Sequence, residues 1–355
     1  MKYTAIIFFL SSAFWGSCQS KPQTADFKKM EWLIGNWKGE SNGMPFYETW
    51  VQISDTEFNN VNYSICNGDT IRDGQSKIEI RDGKIVYSSN NLLWYLTELT
   101  DSSVIFEDKK NGEAFTFINT PKQEWKVNLK YPQSQIDYLL TKTAPISELL
   151  KTKPLPLEGY YEGYIEFMNK QLFTSITFEL KNGLQTATVS TPDNMQLNMP
   201  FTEVCYNPPF IKLVLRDGTQ NLELIGKAAG NEITGSLTGE IPAKVQFHRR
   251  DVQNQKSNYK IITLTLQNKE VSLPANLYLP DSDKPTGAII MICGTGQHIK
   301  EEYNGWAHLL ASKGVAVLTY DKRNVSSFPD LNIRSVSSDI VLPGVLESDI
   351  EAGIR

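Results

Sequence analysis

The β-rich part of the chain opens with the stretch MEWLIGNW, residues 30–37. From residue 27 to residue 145, runs of alternating or strand-favouring residues are interrupted at regular intervals by pairs in which Asn or Asp precedes Gly. These pairs lie at residues 67–68, 82–83 and 111–112. Because such pairs supply the positive φ angles of tight hairpins, the pattern predicts a β barrel or a β sandwich.

The same opening stretch resembles the start of lipocalin-like barrels, in which a short helical turn leads into a Gly-x-Trp first strand. Gly35 and Trp37 match that pattern, and Glu48-Thr49-Trp50 and residues 115–119 fit the same family of small exported proteins. The resemblance implies that residues 27–145 form a lipocalin-like barrel with Trp37 buried at its base. Two alternatives remain open: the barrel binds an apolar ligand, or its aromatic residues form an ordinary core without one.

A proline-containing linker, residues 144–156, precedes a second β block at residues 157–250. Strand-favouring runs in this block alternate with turn signals such as Asn182-Gly183, which predicts a small all-β domain. Gly159–Gly163 and Ile233–Ser236 resemble the β domain that precedes some bacterial α/β-hydrolases. That resemblance implies a scaffold or a wall beside a substrate, and no chemistry of its own.

The periodicity changes after residue 258. The continuous apolar run Ala288–Cys293 predicts a strand buried on both faces, and helical spacing of apolar residues predicts a helix at Tyr303–Lys313. Val315–Tyr320 predicts another buried strand. Because strands that alternate with helices are the order of an α/β fold, the fold class predicted is multidomain, with two all-β domains followed by an α/β portion at residues 259–355.

That C-terminal portion resembles the first third of a bacterial α/β-hydrolase of the serine-aminopeptidase or dienelactone-hydrolase-like type. The resemblance is carried by Leu273–Pro280, Gly294–Gln297, Tyr320–Arg323 and Asp349–Gly353. It implies the N-terminal portion of an α/β-hydrolase fold. It also implies, as the parent activity, hydrolysis of a carboxylic ester or a small peptide-like amide.

Thr295 and Gly296 are the site residues that this resemblance supplies. It implies that the Thr295 backbone N–H belongs to an oxyanion hole and that Gly296 lets a substrate approach closely; alternatively, this turn only takes the chain off a strand. The Ser-Asp-His triad of the family comes later than Arg355 in chain order. The pattern Gly-x-Ser-x-Gly does occur at residues 39–43, but no helix follows it, which predicts a turn.

We therefore expect no catalytic residue within residues 1–355 and no turnover by this chain alone. The function that the resemblance implies is that of a serine-hydrolase-like envelope protein. The alternative is a non-catalytic lipoprotein that binds an apolar ligand in the N-terminal barrel.

The N-terminus predicts export. Lys2, an apolar run at residues 3–15 and the ending Gly16-Ser17-Cys18 form the charged start, short apolar core and small-residue cleavage site of a secretory signal. The ending resembles a bacterial lipobox. This implies a lipoprotein signal peptide at residues 1–18, lipidation of Cys18, a membrane partner through the lipid anchor and a cell-envelope location. The alternative is a plain signal peptide with an incidental cysteine.

Composition restricts the remaining function classes. The chain has 35 basic and 40 acidic residues and no dense basic cluster, so no nucleic-acid partner is expected. No metal or nucleotide motif occurs, so neither a metal nor a cofactor is expected. Beyond the signal, Cys66, Cys205 and Cys293 are widely spaced and odd in number, which predicts buried thiols and neither a disulfide framework nor a zinc site.

Four polar residues of the C-terminal portion receive structural interpretations. His298, on a loop, and His308, on the solvent-facing side of a helix, are predicted to take no part in chemistry. Asp321 and Arg323 are predicted to hold down their own loop through hydrogen bonds or an ion pair.

Overall fold

A computed structural model describes residues 24–90, 92–217, 220–238, 242–251, 257–269, 271–282, 286–292, 299–323, 325–328, 333–336 and 343–354. Residue contacts divide the chain into two compact units. The first unit contains the described residues up to Trp37 together with residues 48–62 and 73–143. The second contains residues 38–47, 63–72 and the described residues from 144 onward.

The N-terminal region forms a closed barrel of ten strands, in which each strand lies next to its sequence neighbours and the first pairs with the tenth. A short helix, α1 (Thr24–Lys28), and a 3-10 turn (Glu31–Leu33) lead into the first strand. The strands are β1 (Gly35–Ser41), β2 (Met44–Ser54), β3 (Glu57–Cys66), β4 (Asp69–Arg81), β5 (Lys84–Ser89), β6 (Leu92–Leu99), β7 (Ser103–Asp108), β8 (Glu113–Thr120), β9 (Glu124–Lys130) and β10 (Gln135–Lys142).

Tight turns join these strands where the sequence predicts them. In the β4–β5 turn, Asp82 and Gly83 have φ angles of 52° and 70°, the left-handed conformation that Asp and Gly tolerate best. Trp37 is buried, and its Nε1 donates a hydrogen bond to the Leu33 carbonyl oxygen at 2.7 Å. The predicted closed barrel and the predicted burial of Trp37 are confirmed.

The second β block forms one nine-stranded sheet with the order β14-β13-β12-β11-β19-β18-β17-β16-β15. A short helix, α2 (Ile146–Leu149), lies in the linker before it. The strands are β11 (Gly159–Phe167), β12 (Lys170–Lys181), β13 (Leu184–Thr191), β14 (Gln196–Pro200), β15 (Glu203–Asn207), β16 (Phe210–Asp217), β17 (Gln220–Ala229), β18 (Glu232–Thr238) and β19 (Ala243–Arg250). Tyr161, Phe178, Ile211, Ile233 and Phe247 are among its core residues. The all-β block predicted here is confirmed.

The C-terminal region contains a four-stranded sheet with the order β20-β21-β23-β22. Strands β22 and β23 are parallel, and the other neighbours are antiparallel. Helix α3 lies between β22 and β23 in sequence, preceded by a 3-10 turn (Lys300–Tyr303). The elements are β20 (Tyr259–Asn268), β21 (Val271–Pro280), β22 (Gly287–Ile290), α3 (Asn304–Ser312), β23 (Val315–Tyr320), the small β24 (Val325–Phe328) and β25 (Ile333–Val336) pair, and α4 (Pro343–Ile354).

This architecture corrects the predicted fold class. Strands make up about 65% and helices about 12% of the described residues, which show no helical portion typical of an α/β-hydrolase. The apolar run Ala288–Cys293 predicts a strand buried on both faces, yet β22 covers only Gly287–Ile290, and Ala288 and Ile289 are exposed. The prediction fails because β22 is an edge strand of this sheet: an apolar run reports hydrophobicity and does not report how many neighbours a strand has.

Candidate functional site

The barrel unit contains a cavity of about 280 Å³. Seven aromatic side chains line it, namely Tyr87, Trp94, Phe115, Phe117, Trp125, Tyr131 and Tyr138. The polar part of the lining includes Glu48, Asn60, Asn62 and Glu113. Apolar and aromatic walls with a few placed polar groups are the usual form of a small-molecule pocket.

Glu48 is the buried carboxyl of this cavity. Residues two apart on a strand share a face, and Glu48 and Trp50 of β2 are both buried. The Trp50 Nε1 donates a hydrogen bond to Glu48 Oε2 at 2.9 Å, and Asn60 Nδ2 lies 3.5 Å from the same oxygen. Burial raises the pKa of the Glu48 carboxyl to about 7, although the indole hydrogen bond lowers it in part. Glu48 therefore changes its charge near neutral pH.

Asn60 and Trp125 present buried polar atoms whose hydrogen-bonding capacity is unused. The Asn60 Nδ2 donates to Asn62 Oδ1 at 2.7 Å and to Ser76 Oγ at 3.2 Å. Its Oδ1, and the Nε1 of Trp125, have no hydrogen-bond partner among the described residues. Because a buried polar group without a partner costs about 1–3 kcal/mol, a molecule that bonds to these atoms gains that free energy on binding.

Trp125 and the tyrosines give the cavity a fixed wall. The Trp125 ring packs edge-on against Trp37, Trp50 and Phe117, with centroid distances of 6.0, 6.5 and 5.3 Å. Burial raises the pKa of the Tyr87 and Tyr138 hydroxyls, so both side chains are neutral at physiological pH. The aromatic wall is therefore preformed and uncharged.

The charged residues of the described lining are both acidic. Glu48 is one, and Glu113 is the other; the Glu113 Oε2 accepts a hydrogen bond from Trp94 Nε1 at 2.8 Å. The described residues that line the cavity include no Lys, Arg or His. Any formal charge in the described lining is therefore negative, and the ionised carboxylates can only accept hydrogen bonds.

Asp321 and Arg323 make the structural contacts predicted for them. The fully buried Asp321 accepts a hydrogen bond from the Lys300 backbone N at 2.9 Å and pairs with Lys300 Nζ at 3.4 Å. Arg323 donates to Asp349 from Nε at 3.0 Å and also from Nη2. The same carboxylate accepts from Asn268 Nδ2 at 2.6 Å. These contacts hold the chain after β23 against the preceding turn and α4.

Three predicted site residues, Cys18, Thr295 and Gly296, lie outside the described residues. Their roles in lipidation and in an oxyanion hole therefore stay predictions. His298 and Cys293 lie outside the described residues as well.

The Gly-x-Ser-x-Gly match at residues 39–43 is the β1–β2 turn. The φ angles there are 50° at Asn42 and 76° at Gly43, and a strand follows at Met44–Ser54. A nucleophile elbow would lead into a helix instead. The prediction of a turn at this position is confirmed.

His308 does not face solvent as predicted. Its ring is partly buried and contacts the edges of Tyr259 and Tyr278, and burial lowers the pKa of its imidazole. The prediction is wrong because α3 packs through its small residues Ala307 and Ala311. The prediction instead takes the larger apolar residues of the helix as its buried face, but Trp306 and Leu309 are exposed.

Glu48 and Asn60 are functional candidates that the sequence patterns did not single out. One signal was available: Glu48 stands two residues before Trp50 in a predicted strand, so a carboxyl shares the inward face with a core indole. Fully buried carboxyls without a partner cation are rare. An acidic residue at an inward position of a barrel strand therefore marks a site.

Within the described part of the chain, no three His, Cys, Asp or Glu residues lie close enough to hold a metal ion. Across the same residues, no helix has the length and apolar character needed to cross a membrane.

No family model matches the chain, and no curated protein matches it. Among solved structures, it is similar to an acylaminoacyl peptidase from Pyrococcus horikoshii, with 8% identity, a TM-score of 0.19, and coverage of 81% of this chain and 65% of that chain. It is also similar to the AtxE2 isopeptidase, with 11% identity, a TM-score of 0.16, and coverage of 78% of this chain and 61% of that chain. The chain thus spans less than two thirds of either structure, and similarities of this size support no inference on fold or activity.

Proposed function

We propose that the N-terminal barrel binds a small organic cation, an amine with an aromatic or apolar body. The observation that carries this proposal is the buried Glu48 carboxyl, which lies in an aromatic cavity beside the unpartnered Oδ1 of Asn60. Both groups accept hydrogen bonds when Glu48 is ionised, and an ammonium group donates up to three.

The charge of the cavity favours a cation over a neutral or anionic ligand. Glu48 and Glu113 are acidic, and the described lining contains no basic side chain. The faces of Trp and Tyr rings attract cations by about 0.5–2 kcal/mol. A bound ammonium would also supply the counter-charge that the Glu48 carboxylate lacks, because its protein partners, the Trp50 indole and the Asn60 amide, are neutral donors.

The cavity volume limits the size of the ligand. It measures about 280 Å³, and one water occupies roughly 30 Å³ in the liquid. The cavity therefore fits a molecule of roughly ten non-hydrogen atoms, such as an arylalkylamine. This chemistry departs from the purely apolar ligand that the lipocalin-like resemblance implies.

A matched pair of probes tests the proposal. 2-Phenylethylammonium and 2-phenylethanol have nearly the same shape, and only the first is charged. Titration of each into the full chain, followed by calorimetry and tryptophan fluorescence, is expected to show tighter binding of the ammonium compound. Glu48→Gln is expected to remove this preference, whereas Glu98→Gln, at an exposed position of β6, is expected to keep it.

Two outcomes would contradict the proposal. Equal affinity for both probes in the unmodified chain removes the role of charge, and tighter binding of the alcohol supports the apolar ligand instead. Far-UV circular dichroism of the Glu48→Gln variant separates lost recognition from lost folding. If the variant does not fold, the comparison of the two probes on the unmodified chain decides alone.

Hydrolysis of an ester or a peptide-like amide is the second candidate function. It rests on the resemblance over residues 271–355. The ion pairs of Asp321 with Lys300 and of Arg323 with Asp349 order the chain after β23, and they supply no nucleophile. Labelling of the chain by a fluorophosphonate probe tests this candidate. Stoichiometric labelling would support hydrolysis if substitution of one Ser abolishes it. Absence of labelling would argue against a hydrolytic serine within residues 1–355.

Export and lipid anchoring are proposals that rest on the sequence of residues 2–18. Incorporation of labelled palmitate into the chain, lost in Cys18→Ala, is the result expected. Secretion without incorporation would favour the plain signal peptide.

A further inference from the structure

Two cysteines far apart in sequence meet where the end of β3 lies beside β15, within the second unit. The Asn67 backbone N donates to the Tyr206 carbonyl oxygen at 3.1 Å, and the Tyr206 backbone N donates to Asn67 Oδ1 at 3.0 Å. These bonds hold Cys66 and Cys205, one residue before each partner, side by side.

The two side chains point at each other's strands. Cys66 Sγ lies 4.0 Å from the Val204 carbonyl oxygen, and Cys205 Sγ lies 3.7 Å from the Ile65 carbonyl oxygen. The two thiols also shift each other's pKa values, which are lowered for Cys66 and raised for Cys205. Both are free thiols in the structure, as the sequence predicts, but their wide separation in sequence does not keep them apart in the fold.

The pair is asymmetric in its access to solvent. Cys66 is partly exposed and lines a cavity of about 370 Å³, together with the segment Lys153–Pro156 and Gln185. Cys205 is buried behind it. A small reagent in this cavity therefore meets Cys66 first.

We propose that Cys66 and Cys205 form a redox-active pair, in which Cys66 reacts with a low-molecular-weight disulfide and Cys205 then displaces it to close a Cys66–Cys205 disulfide. This site is independent of the barrel cavity and of its ligand. The exported location that the N-terminus predicts is a compartment in which such a disulfide persists.

The exchange balances without any further reagent. The Cys66 thiolate attacks one sulfur of the external disulfide, a new S–S bond forms, the old one breaks, and the first thiolate leaves and takes a proton. Cys205 then loses its proton and attacks Cys66 Sγ, which releases the second thiol. The two protein thiols lose two electrons and two protons in total, and the external disulfide becomes two thiols.

The electrostatic surroundings of the two thiols also favour Cys66 as the attacking thiol and Cys205 as the resolving thiol. The pKa of Cys66 is lowered, chiefly by the Cys205 thiol and in part by the Lys212 ammonium. Burial and the carboxylates of Glu203 and Asp69 act in the opposite direction. The Cys66 thiol, followed by burial, raises the pKa of Cys205. Since the thiolate is the nucleophile, the accessible Cys66 attacks first, and Cys205 resolves the mixed disulfide.

Glutathione disulfide is the probe for this proposal. The reduced full chain is treated with it, quenched with iodoacetamide and mapped by tandem mass spectrometry. We expect a cross-linked peptide pair that joins Cys66 to Cys205 and disappears on reduction. In Cys205→Ser, the reaction should stop at a glutathione adduct on Cys66, whereas the control Cys293→Ser should form the cross-link as the unmodified chain does.

The unmodified chain alone can overturn the proposal, whether or not Cys205→Ser folds. A stable glutathione adduct on Cys66 with an unlinked Cys205, or a cross-link from Cys66 to Cys293, contradicts it. Brief alkylation of the reduced chain adds a second test. Cys66 should react faster than Cys205 by on the order of tenfold or more, and equal or reversed rates contradict the assigned order.

Discussion

Two buried carboxyl groups, Glu48 in the barrel and Asp349 on α4, have opposite surroundings. Glu48 is 5% exposed and Asp349 is 0% exposed, so both have lost nearly all contact with water. Asp349 faces the Arg323 guanidinium and the Asn268 amide. Glu48 faces an indole and an amide, which are neutral donors, and it lines a cavity.

The difference separates a structural carboxylate from one suited to a ligand. A buried carboxylate that is paired with a guanidinium has its charge compensated within the protein. A buried carboxylate without a counter-charge takes up a proton more readily, and its compensation has to come from a proton or from a bound cation. The same carboxyl-to-amide substitution should therefore have opposite effects at the two positions.

The largest effect is expected for Asp349→Asn. The amide keeps one acceptor oxygen but places an NH₂ group against the donors of Arg323 and Asn268, and it removes the negative charge that compensates the guanidinium. Breaking one partner of a buried pair costs about 3–5 kcal/mol, and Arg323 is partly exposed, so the lower end is expected. Urea denaturation at pH 8 measures this loss.

Glu79→Gln is the matched control for that substitution. Glu79 also pairs with basic groups, at 2.6 Å from Lys77 Nζ and 2.5 Å from Arg81 Nη2, but Lys77 is partly exposed and Arg81 is exposed. Exposed pairs contribute about 0–1 kcal/mol. An equal loss of stability in both variants would mean that burial of the Asp349 pair has no special role.

Glu48→Gln is expected to stabilise the protein at neutral and alkaline pH. Burial raises the pKa of Glu48 to about 7 from its ordinary value of 4.5, so the folded state holds a proton that the unfolded state has released between those pH values. Stability therefore falls as pH rises from 4.5 toward 7, by roughly 3 kcal/mol in total. The Glu48→Gln variant has no carboxyl to titrate and should not show this decrease. Urea denaturation of both proteins at pH 4.5 and pH 8 measures the difference in the free energy of unfolding.

A flat difference between the variant and the unmodified chain over that pH range would contradict the buried, uncompensated state of Glu48. The Asp349→Asn variant is expected to be less stable than the unmodified chain in the same assay at pH 8, where Glu48→Gln is expected to be more stable. Together, the two substitutions test the comparison without any ligand.

The affinity of the barrel for 2-phenylethylammonium should depend on pH in the direction that Glu48 sets. A cation binds the ionised carboxylate, so affinity is expected to be highest above the pKa of about 7. It should fall by up to about tenfold for each pH unit below it. The amine itself stays protonated throughout this range. Calorimetric titrations from pH 5 to pH 8 measure the profile, and the same profile in Glu48→Gln would exclude this carboxyl as its source.

The barrel was predictable from sequence because its signals are local. Asp82-Gly83 requires positive φ angles at two adjacent residues, and Gly35 and Trp37 mark the first strand. The cavity was not predictable in the same way: Glu48 and Asn60 come from neighbouring strands, but only barrel closure brings Trp125 of β9 into the same cavity. The contact of Cys66 with Cys205 likewise depends on long-range pairing. The burial of β22 was mispredicted since its neighbours are not encoded in its own residues.

The smallest effect is expected for Trp50→Phe, which removes one hydrogen bond from Glu48 and keeps an aromatic ring. The indole Nε1 donates to Glu48 Oε2 at 2.9 Å and lowers the pKa of that carboxyl. Without this donor, the charged form loses stabilisation, so the pKa should rise further, by on the order of one unit. The midpoint of the pH profile for 2-phenylethylammonium should rise with it. Trp94→Phe removes the equivalent donor from Glu113 and leaves the bonds of Glu48 intact, so its midpoint should stay in place. A midpoint that moves in Trp94→Phe and not in Trp50→Phe would exclude the Glu48 carboxyl as the source of the profile, and with it the contrast between Glu48 and Asp349.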